Sequence, residues 1–169
     1  MKGKNMLVIN LLLVFILQFC ATPQTESITL IPKGYTGIIV IIFDQADGVM
    51  PEMENGKRVY IIPNGGVLKT QAKANYKLSG HKYYYVDSLG NREPIKYLYQ
   101  RGLEDVGETF DSVKSTNGIF AYGEEMGATA NNKPNYKKFR VFIVSPKEQQ
   151  DSLLAMKSRI VSKVLLKTK

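Results

Sequence analysis

Tryptophan is absent from this sequence of 169 residues, and cysteine and histidine occur once each, as Cys20 and His81. A single cysteine cannot form a disulfide within the chain, and these two side chains are too few for a zinc site within one chain. A serine–histidine relay also needs an orienting group and an oxyanion hole, and the sequence has no Gly-x-Ser-x-Gly motif. We therefore assign no catalytic residue and no cofactor, and we expect His81 in an exposed loop.

The composition is that of one folded domain. Hydrophobic residues make up 44% of the chain and charged residues 22%, which excludes wholesale disorder. The chain is also long enough to bury a core. Its 23 basic residues against 15 acidic ones give a net charge of +8, which in a cytosolic protein would indicate nucleic acid as a partner.

An export signal is predicted over residues 1–19. Lys2 and Lys4 form a positive N-terminal region, and an apolar stretch over 7–17, interrupted only by Asn10, follows them. An apolar stretch of about eleven residues fits a signal peptide and falls short of the ~20 that span a bilayer. We therefore expect an exported protein.

The signal ends in Leu17-Gln18-Phe19-Cys20, which resembles the lipobox of bacterial lipoproteins. Leu17 and Cys20 match that pattern, whereas Phe19 stands where a small residue is usual. The resemblance implies that Cys20 is lipidated and becomes the N-terminus, that residues 20–27 form a short tether, and that the protein is anchored to the cell membrane or the outer membrane. An uncleaved anchor and a buried or incidental cysteine are the alternatives.

Removal of the signal changes the expected partner. Loss of Lys2 and Lys4 from the 23 basic residues leaves 21 against 15 acidic ones, a net charge of +6. Behind a membrane the nearest polyanion is anionic lipid, so we expect membrane lipid and not nucleic acid as the partner. For the basic charge itself we favour a solvated, lysine-rich surface that aids solubility. The sequence names no protein or glycan partner.

Six consecutive apolar residues over 38–43 are the stretch on which the predicted fold depends. Ile and Val favour a strand, and the lack of polar alternation indicates burial on both faces, in a sandwich or in a sheet capped by a helix. Further strands are predicted at 28–31, 57–63, 67–71, 82–87, 92–98, 118–122 and 138–144. We predict a mostly β domain over 28–145, an antiparallel β-sandwich of immunoglobulin or transthyretin type.

Residues 82–98 predict a hairpin with a glycine in its turn. Pro94 in the returning strand favours an edge position. Alternation places Tyr83 and Tyr85 on one face and Tyr84 on the other. These three tyrosines are the candidates for a ligand-binding platform, although tyrosine also suits half-buried strands.

An amphipathic helix is predicted over residues 146–167. Ser145 as N-cap, Pro146 at the first position and Glu148 in a capping box mark its start. Its apolar stripe consists of Leu153, Leu154, Met156, Ile160, Val161, Val164 and Leu165, and the rest of its surface of Lys157, Arg159, Ser162, Lys163 and Lys167. Either the stripe docks on the sheet, or the basic flanks contact anionic lipid next to the anchor.

Four carboxylates, Asp44, Asp47, Glu52 and Glu54, share the loop after the central strand. Together with backbone carbonyls they are candidate ligands for a hard cation such as Ca²⁺, although their spacing departs from the EF-hand pattern. Turn-forming aspartates and solvated glutamates are the alternative. A glycan-hydrolysing site would need two carboxylates facing each other across a cleft.

Two segments resemble a family of bacterial lipoprotein domains of unknown function, in which strands carry I-P-x-G-Y-x-G and I-P-x-x-G-x-L-x-T. The matching residues here are Ile31, Pro32, Gly34, Tyr35, Gly37, Ile62, Pro63, Gly66, Leu68 and Thr70. The resemblance covers roughly residues 28–98. It implies a β-rich fold and a lipoprotein compartment, and it assigns no activity.

The sequence as a whole therefore predicts a membrane-anchored lipoprotein of the bacterial cell envelope that acts by binding or structural support. The alternative is an envelope enzyme that uses carboxylates, for example in glycan hydrolysis.

Overall fold

The structure, a computed structural model, describes residues 26–76, 80–98, 118–129 and 136–168. The predicted signal over 1–19, Cys20 and the tether up to residue 25 lie outside these ranges. Nine strands and one α-helix are formed within them. The strands are β1 (Ser27–Pro32), β2 (Gly37–Phe43), β3 (Glu52–Glu54), β4 (Lys57–Ile61), β5 (Val67–Lys69), β6 (His81–Val86), β7 (Arg92–Leu98), β8 (Ile119–Ala128) and β9 (Lys138–Pro146). The helix α1 covers Gln150–Lys167 and follows a 3-10 turn at Lys147–Gln149.

The strands form one mixed sheet in the order β3-β4-β1-β6-β7-β8-β9-β2-β5. Strand β1 runs parallel to both β4 and β6, β2 runs parallel to β5, and β7 runs parallel to β8. The other neighbours are antiparallel. A mostly β chain with a C-terminal helix is therefore confirmed, whereas the antiparallel sandwich of immunoglobulin or transthyretin type is wrong in its strand pairing.

The difference arises at the turn before β5. A hairpin would have placed β5 beside β4, but Val67 and Leu68 pair instead with Val40 and Ile41 of β2, at the opposite edge of the sheet. The two edges then approach each other, because the segment that precedes β3 bonds to the edge strand β5 through the amide of Val49. The sheet is therefore curled, with an inner and an outer face.

Strand β2 is buried on both faces, as predicted. Ile39, Ile41 and Phe43 pack in the inner cluster, and the alternate residues Ile38 and Val40 pack in the cluster beneath α1. Each such apolar side chain contributes roughly 1.5–3 kcal/mol when it leaves water. A continuous apolar run is required here because neither face of the strand meets solvent.

Helix α1 starts later than predicted. Strand β9 continues through Pro146, which pairs with Ile119, and the Ser145 hydroxyl is buried against the Tyr122 hydroxyl at 2.6 Å. Ser145 therefore caps no helix, and the first α-helical residue is Gln150.

The apolar stripe of α1 docks on the outer face of the sheet, as one of the two interpretations predicted. Lys157 departs from its predicted place on the polar surface. It is 5% exposed, and its Nζ donates to the carbonyl oxygen of Gly123 and pairs with Glu125.

The hairpin of β6 and β7 is confirmed, but Pro94 does not mark an edge strand. Tyr84 pairs with Pro94 in the antiparallel ladder on one side of β7, and β8 joins the other side only from Lys96 onward. Pro94 thus lies in the half of β7 that is paired on one side, where its missing amide hydrogen costs no ladder bond.

The close approach of the loop before β3 to β5 is directly testable at Gly48. A Cβ at this position would lie 2.7 Å from the backbone nitrogen of Thr70. We expect Gly48→Ala to lower the free energy of unfolding by about 1–3 kcal/mol, the usual cost of overpacking, as measured by urea unfolding followed by circular dichroism. Gly65→Ala is the matched control, because nothing lies within 4 Å of its added Cβ. Equal stability of the two variants would contradict the proposed edge contact.

Candidate functional site

A charged side chain lies in the interior of the curled sheet. Arg140 of β9 alternates in phase with Phe142, so both face inward, and Arg140 is only 1% exposed. Its guanidinium lies over the rings of Tyr60 and Phe142, at 5.3 and 5.7 Å from their centroids. The guanidinium donates through Nη1 to Ser27 Oγ at 3.2 Å and through Nη2 to Thr29 Oγ1 at 3.0 Å. Such a site favours Arg over Lys, because a planar cation can stack and hydrogen-bond at once.

A carboxylate reaches the same interior from β8 through a backbone irregularity. The register of β8 against β9 shifts between Tyr122 and Glu125, and Gly123 adopts a left-handed φ of +64°. Between them, Glu124 is 6% exposed and accepts a hydrogen bond from the Tyr83 hydroxyl at 2.7 Å. The bulge therefore aims a carboxylate at a position that regular alternation would not give.

Three ionisable groups converge at this point. Glu124 Oε1 lies 3.6 Å from Arg140 Nε and 3.7 Å from His81 Nε2. Neither Glu124 Oε1 nor Arg140 Nε has a hydrogen-bond partner in the described part of the chain. The charges of Glu124 and Arg140 therefore face each other in the interior without forming a close, hydrogen-bonded pair. In such an arrangement the cost of removing both charges from water offsets part of their attraction.

His81 is a member of this cluster and not an exposed loop residue, which corrects the sequence prediction. It is the first residue of β6, where it pairs with Ser27 in the parallel ladder, and its side chain is 3% exposed. The His81 ring also lies within hydrogen-bonding distance of Ser27, with Nδ1 2.8 Å from Oγ. The two strand ends are thus joined through both backbone and side chain.

Burial raises the pKa values of two acidic side chains in this cluster, Glu124 and Tyr83. It raises the pKa of Glu124, against the opposing effects of the Arg140 charge and the Tyr83 hydrogen bond. Burial and the neighbouring Glu124 carboxylate raise the pKa of Tyr83 well above its ordinary value. Tyr83 therefore remains a hydrogen-bond donor throughout the physiological range.

Two members of the cluster, His81 and Arg140, line a crevice at the end of the sheet where β1 and β6 begin. The crevice has a volume of about 10 Å³, and its lining includes Ser27, Arg58, Asn75, His81 and Arg140. This volume corresponds to roughly one water molecule. The crevice is therefore too small to admit an organic substrate.

The loop carboxylates predicted as cation ligands are held apart. Asp44 pairs with Lys138 at 3.3 Å, Asp47 with Lys69 at 2.8 Å, and Glu54 with Arg92 at 2.8 Å, while Glu52 is exposed on β3. Within the described ranges no three His, Cys, Asp or Glu side chains are grouped as metal ligands. The structure thus gives three of the four carboxylates a basic partner and does not bring the four together.

The three candidate tyrosines do not form a common exposed surface. Tyr83 and Tyr85 lie on the inner face, as predicted from alternation, and both are buried. The Tyr85 hydroxyl donates to the carbonyl oxygen of Tyr35 at 2.6 Å. Tyr84 packs partly buried on the outer face.

Comparison with known proteins gives one family and one solved structure. A family described as "Family of unknown function (DUF6843)" matches residues 23–152. The crystal structure of a protein named "Putative Lipoprotein from Bacillus anthracis" is 20% identical, with a TM-score of 0.48 over 72% of this chain and 70% of that chain. No curated protein matches. The expected resemblance to a family of unknown function is confirmed at this level, and the two strand motifs and the lipid anchor stay predictions.

The opposed charges in the interior predict strong and non-additive mutational effects. Arg140→Met and Glu124→Gln should each lower the free energy of unfolding by about 3–5 kcal/mol, because each leaves a buried partner without its counter-charge. The double variant should lose less than the sum of the two, by about 0.5–3 kcal/mol. Urea unfolding of the four proteins measures both quantities.

Glu93→Gln provides the control, since Glu93 forms an exposed pair with Lys33 and should change stability by less than about 1 kcal/mol. Strict additivity of Arg140→Met and Glu124→Gln would show that the two side chains do not interact.

Proposed function

The chain belongs to the DUF6843 family of unknown function, and we propose that it is a lipid-anchored protein of the bacterial cell envelope whose sheet domain acts by binding or structural support. The observation that carries this proposal is the position of the single cysteine. Cys20 ends an apolar leader and stands seven residues before Ser27, the first residue of β1. The diacylglycerol-modified cysteine would tie the domain to the cell membrane or the outer membrane.

The short tether limits how far the domain stands from the bilayer. Seven extended residues span at most ~25 Å, so the end of the sheet that carries Ser27 and His81 would face the lipid closely. None of the helices in the described ranges is long and apolar enough to cross a membrane. In this proposal, the acylated Cys20 supplies the anchor that inserts into the bilayer.

Two features support binding or scaffolding over catalysis. Three of the four loop carboxylates are paired with Lys or Arg, so they are not free to act as an acid and base pair. The crevice lined by His81 and Arg140, the two side chains that face Glu124, has a volume of only about 10 Å³. An envelope enzyme acting on glycans would need a pair of carboxylates in an open cleft.

The outer surface of α1 supports a second contact with the membrane. Its apolar stripe is occupied by the sheet, which leaves Arg159, Lys163 and Lys167 exposed on its polar side. Each basic residue near an anionic bilayer contributes about 1 kcal/mol. We infer that this basic surface rests on anionic headgroups once the anchor holds the domain nearby.

Metabolic labelling with palmitate tests the anchor. The wild-type chain should incorporate label and fractionate with membranes, and Cys20→Ser should lose the label completely, because the sequence contains no other cysteine. Unlabelled wild-type protein that retains its leader in the soluble fraction would refute the proposed anchor.

Binding to vesicles tests the helix surface separately. We expect a chain that begins at residue 21 to bind phosphatidylglycerol-containing vesicles and not pure phosphatidylcholine vesicles. Replacing Arg159 and Lys163 with Gln should weaken this binding about 30-fold, the equivalent of about 2 kcal/mol. Lys33→Gln with Lys82→Gln is the charge-matched control, because both residues are exposed and lie outside α1. Equal binding by both double variants would exclude a specific role for α1.

A further inference from the structure

His81 occupies a position that makes the end of the sheet sensitive to protons. We propose that neutral His81 latches the first residues of β1 and β6 to the Arg140–Glu124 pair, and that protonation of its ring releases these two strand ends. The latch joins four strands, because Ser27 belongs to β1, His81 to β6, Glu124 to β8 and Arg140 to β9. It is independent of whether Cys20 carries lipid.

The hydrogen bonds around Ser27 define the closed state. Arg140 Nη1 donates to Ser27 Oγ, and in the closed state that we propose the serine hydroxyl donates its own hydrogen to His81 Nδ1. This assignment places the single ring hydrogen of neutral His81 on Nε2, the atom that faces Glu124 at 3.7 Å. A second ring proton would sit on Nδ1 and point at Ser27 Oγ, so the serine hydrogen would lose its acceptor.

Electrostatic repulsion from Arg140 also disfavours protonated His81 in the closed state. His81 and Arg140 both contact the same oxygen, Ser27 Oγ, at 2.8 and 3.2 Å. Protonated His81 would therefore stand beside a permanent guanidinium in a water-poor interior, where like charges repel far more strongly than in solvent. Within the described ranges, the ionisable and charged groups that neighbour His81, its crevice or the facing Glu124 are Glu26, Arg58, Tyr60, Lys82, Tyr83, Tyr97, Glu124 and Arg140. Glu124 is the carboxylate in this set whose oxygen faces the ring directly.

Glu124 cannot by itself account for release in acid. Burial raises the pKa of Glu124, so the folded protein takes up this proton more readily than the unfolded chain does. The stabilisation linked to Glu124 is thus present at low pH and lost as the pH rises through its folded-state pKa. Lys57 lowers the pKa of Glu26, so the stabilisation from that pair is lost only at lower pH. Opening between pH 7.5 and pH 5 is therefore assigned to His81, and neutralisation of Glu124 would leave the His81 and Arg140 charges without their anion.

The position of the latch favours local opening. Ser27 and His81 are the first residues of their strands and pair with each other, and the ends of strands open more readily than their centres. The other end of β1 is held by the ladder that pairs Pro32 with Val86. We therefore expect release of the strand starts while the remainder of the sheet stays closed.

Two measurements on the full-length, detergent-solubilised protein test the latch. Because the chain has one histidine, the proton–carbon NMR signal of the His81 ring titrates alone and needs no variant. Hydrogen exchange followed by mass spectrometry, corrected for intrinsic rates, reports opening of Ser27–Pro32 and His81–Val86. Between pH 7.5 and pH 5 we expect protection of these two strands against exchange to fall at least tenfold. The midpoint of this fall should coincide with the midpoint of the His81 titration.

Variants separate the latch from general acid sensitivity. His81→Gln should abolish the fall in protection, and His81→Asn gives a second uncharged variant should the first fold poorly. Glu124→Gln should move the His81 titration to lower pH, because the facing carboxylate is gone while Arg140 remains. Glu93→Gln, on an exposed ion pair, should leave the titration unchanged.

Three results would overturn the proposal. Constant protection of β1 and β6 across the pH range would show that no latch exists. A fall that persists in both His81 variants would assign it to another group. Simultaneous loss of protection in Gln150–Lys167 and in the β2–β9 ladder would show global acid unfolding.

Discussion

The curl of this sheet is stabilised from within by the guanidinium of Arg140. Its strand, β9, is separated from β1 in the sheet by three intervening strands, yet its nitrogens donate to Ser27 and Thr29 of β1. Hydrogen bonds to a charged group contribute about 1.5–3 kcal/mol each, and a buried cation without them is far more costly. A flatter sheet would carry β1 out of reach and leave this cation unpaired. The polar pairing therefore favours the same curvature as the contact between Val49 and β5.

The helix is coupled to this interior through the bulge in β8. Gly123 adopts the left-handed conformation that turns Glu124 inward, and a Cβ there would lie 3.3 Å from Leu154 of α1. Lys157 of the same helix donates to the Gly123 carbonyl oxygen at 3.1 Å. This bond gives the carbonyl group at the bulge a charged donor. The C-terminal helix thus supports the geometry of the buried carboxylate in addition to covering the outer face.

The sequence predicts the parts of this fold that repeat a pattern. The apolar run of β2, the stripe of α1 and the hairpin of β6 and β7 were all readable from spacing, because burial acts on every residue of such a run. Parallel pairing left no local trace, since it joins segments far apart in the chain. The burial of Arg140 can be predicted from the sequence, because Arg140 lies two residues before Phe142. Side chains alternate along a strand, so both residues belong on the same, apolar face. Glu124 was beyond reach because the bulge that redirects it breaks that period.

The same cluster also specifies the register of β1, which its connections cannot do. Both neighbours of β1 run parallel to it, so no tight hairpin turn sets their alignment. Because side chains alternate, a slip of one residue would bring Ile28 and Leu30 to the inner face in place of Ser27 and Thr29. The Arg140 guanidinium would then meet hydrocarbon in place of two hydroxyl acceptors, and His81 would lose the serine that bonds its ring. The Arg140–Glu124 pair therefore adds little net stability in the correct register, but burying it in the wrong register would cost much more. This difference in free energy selects a single alignment of β1.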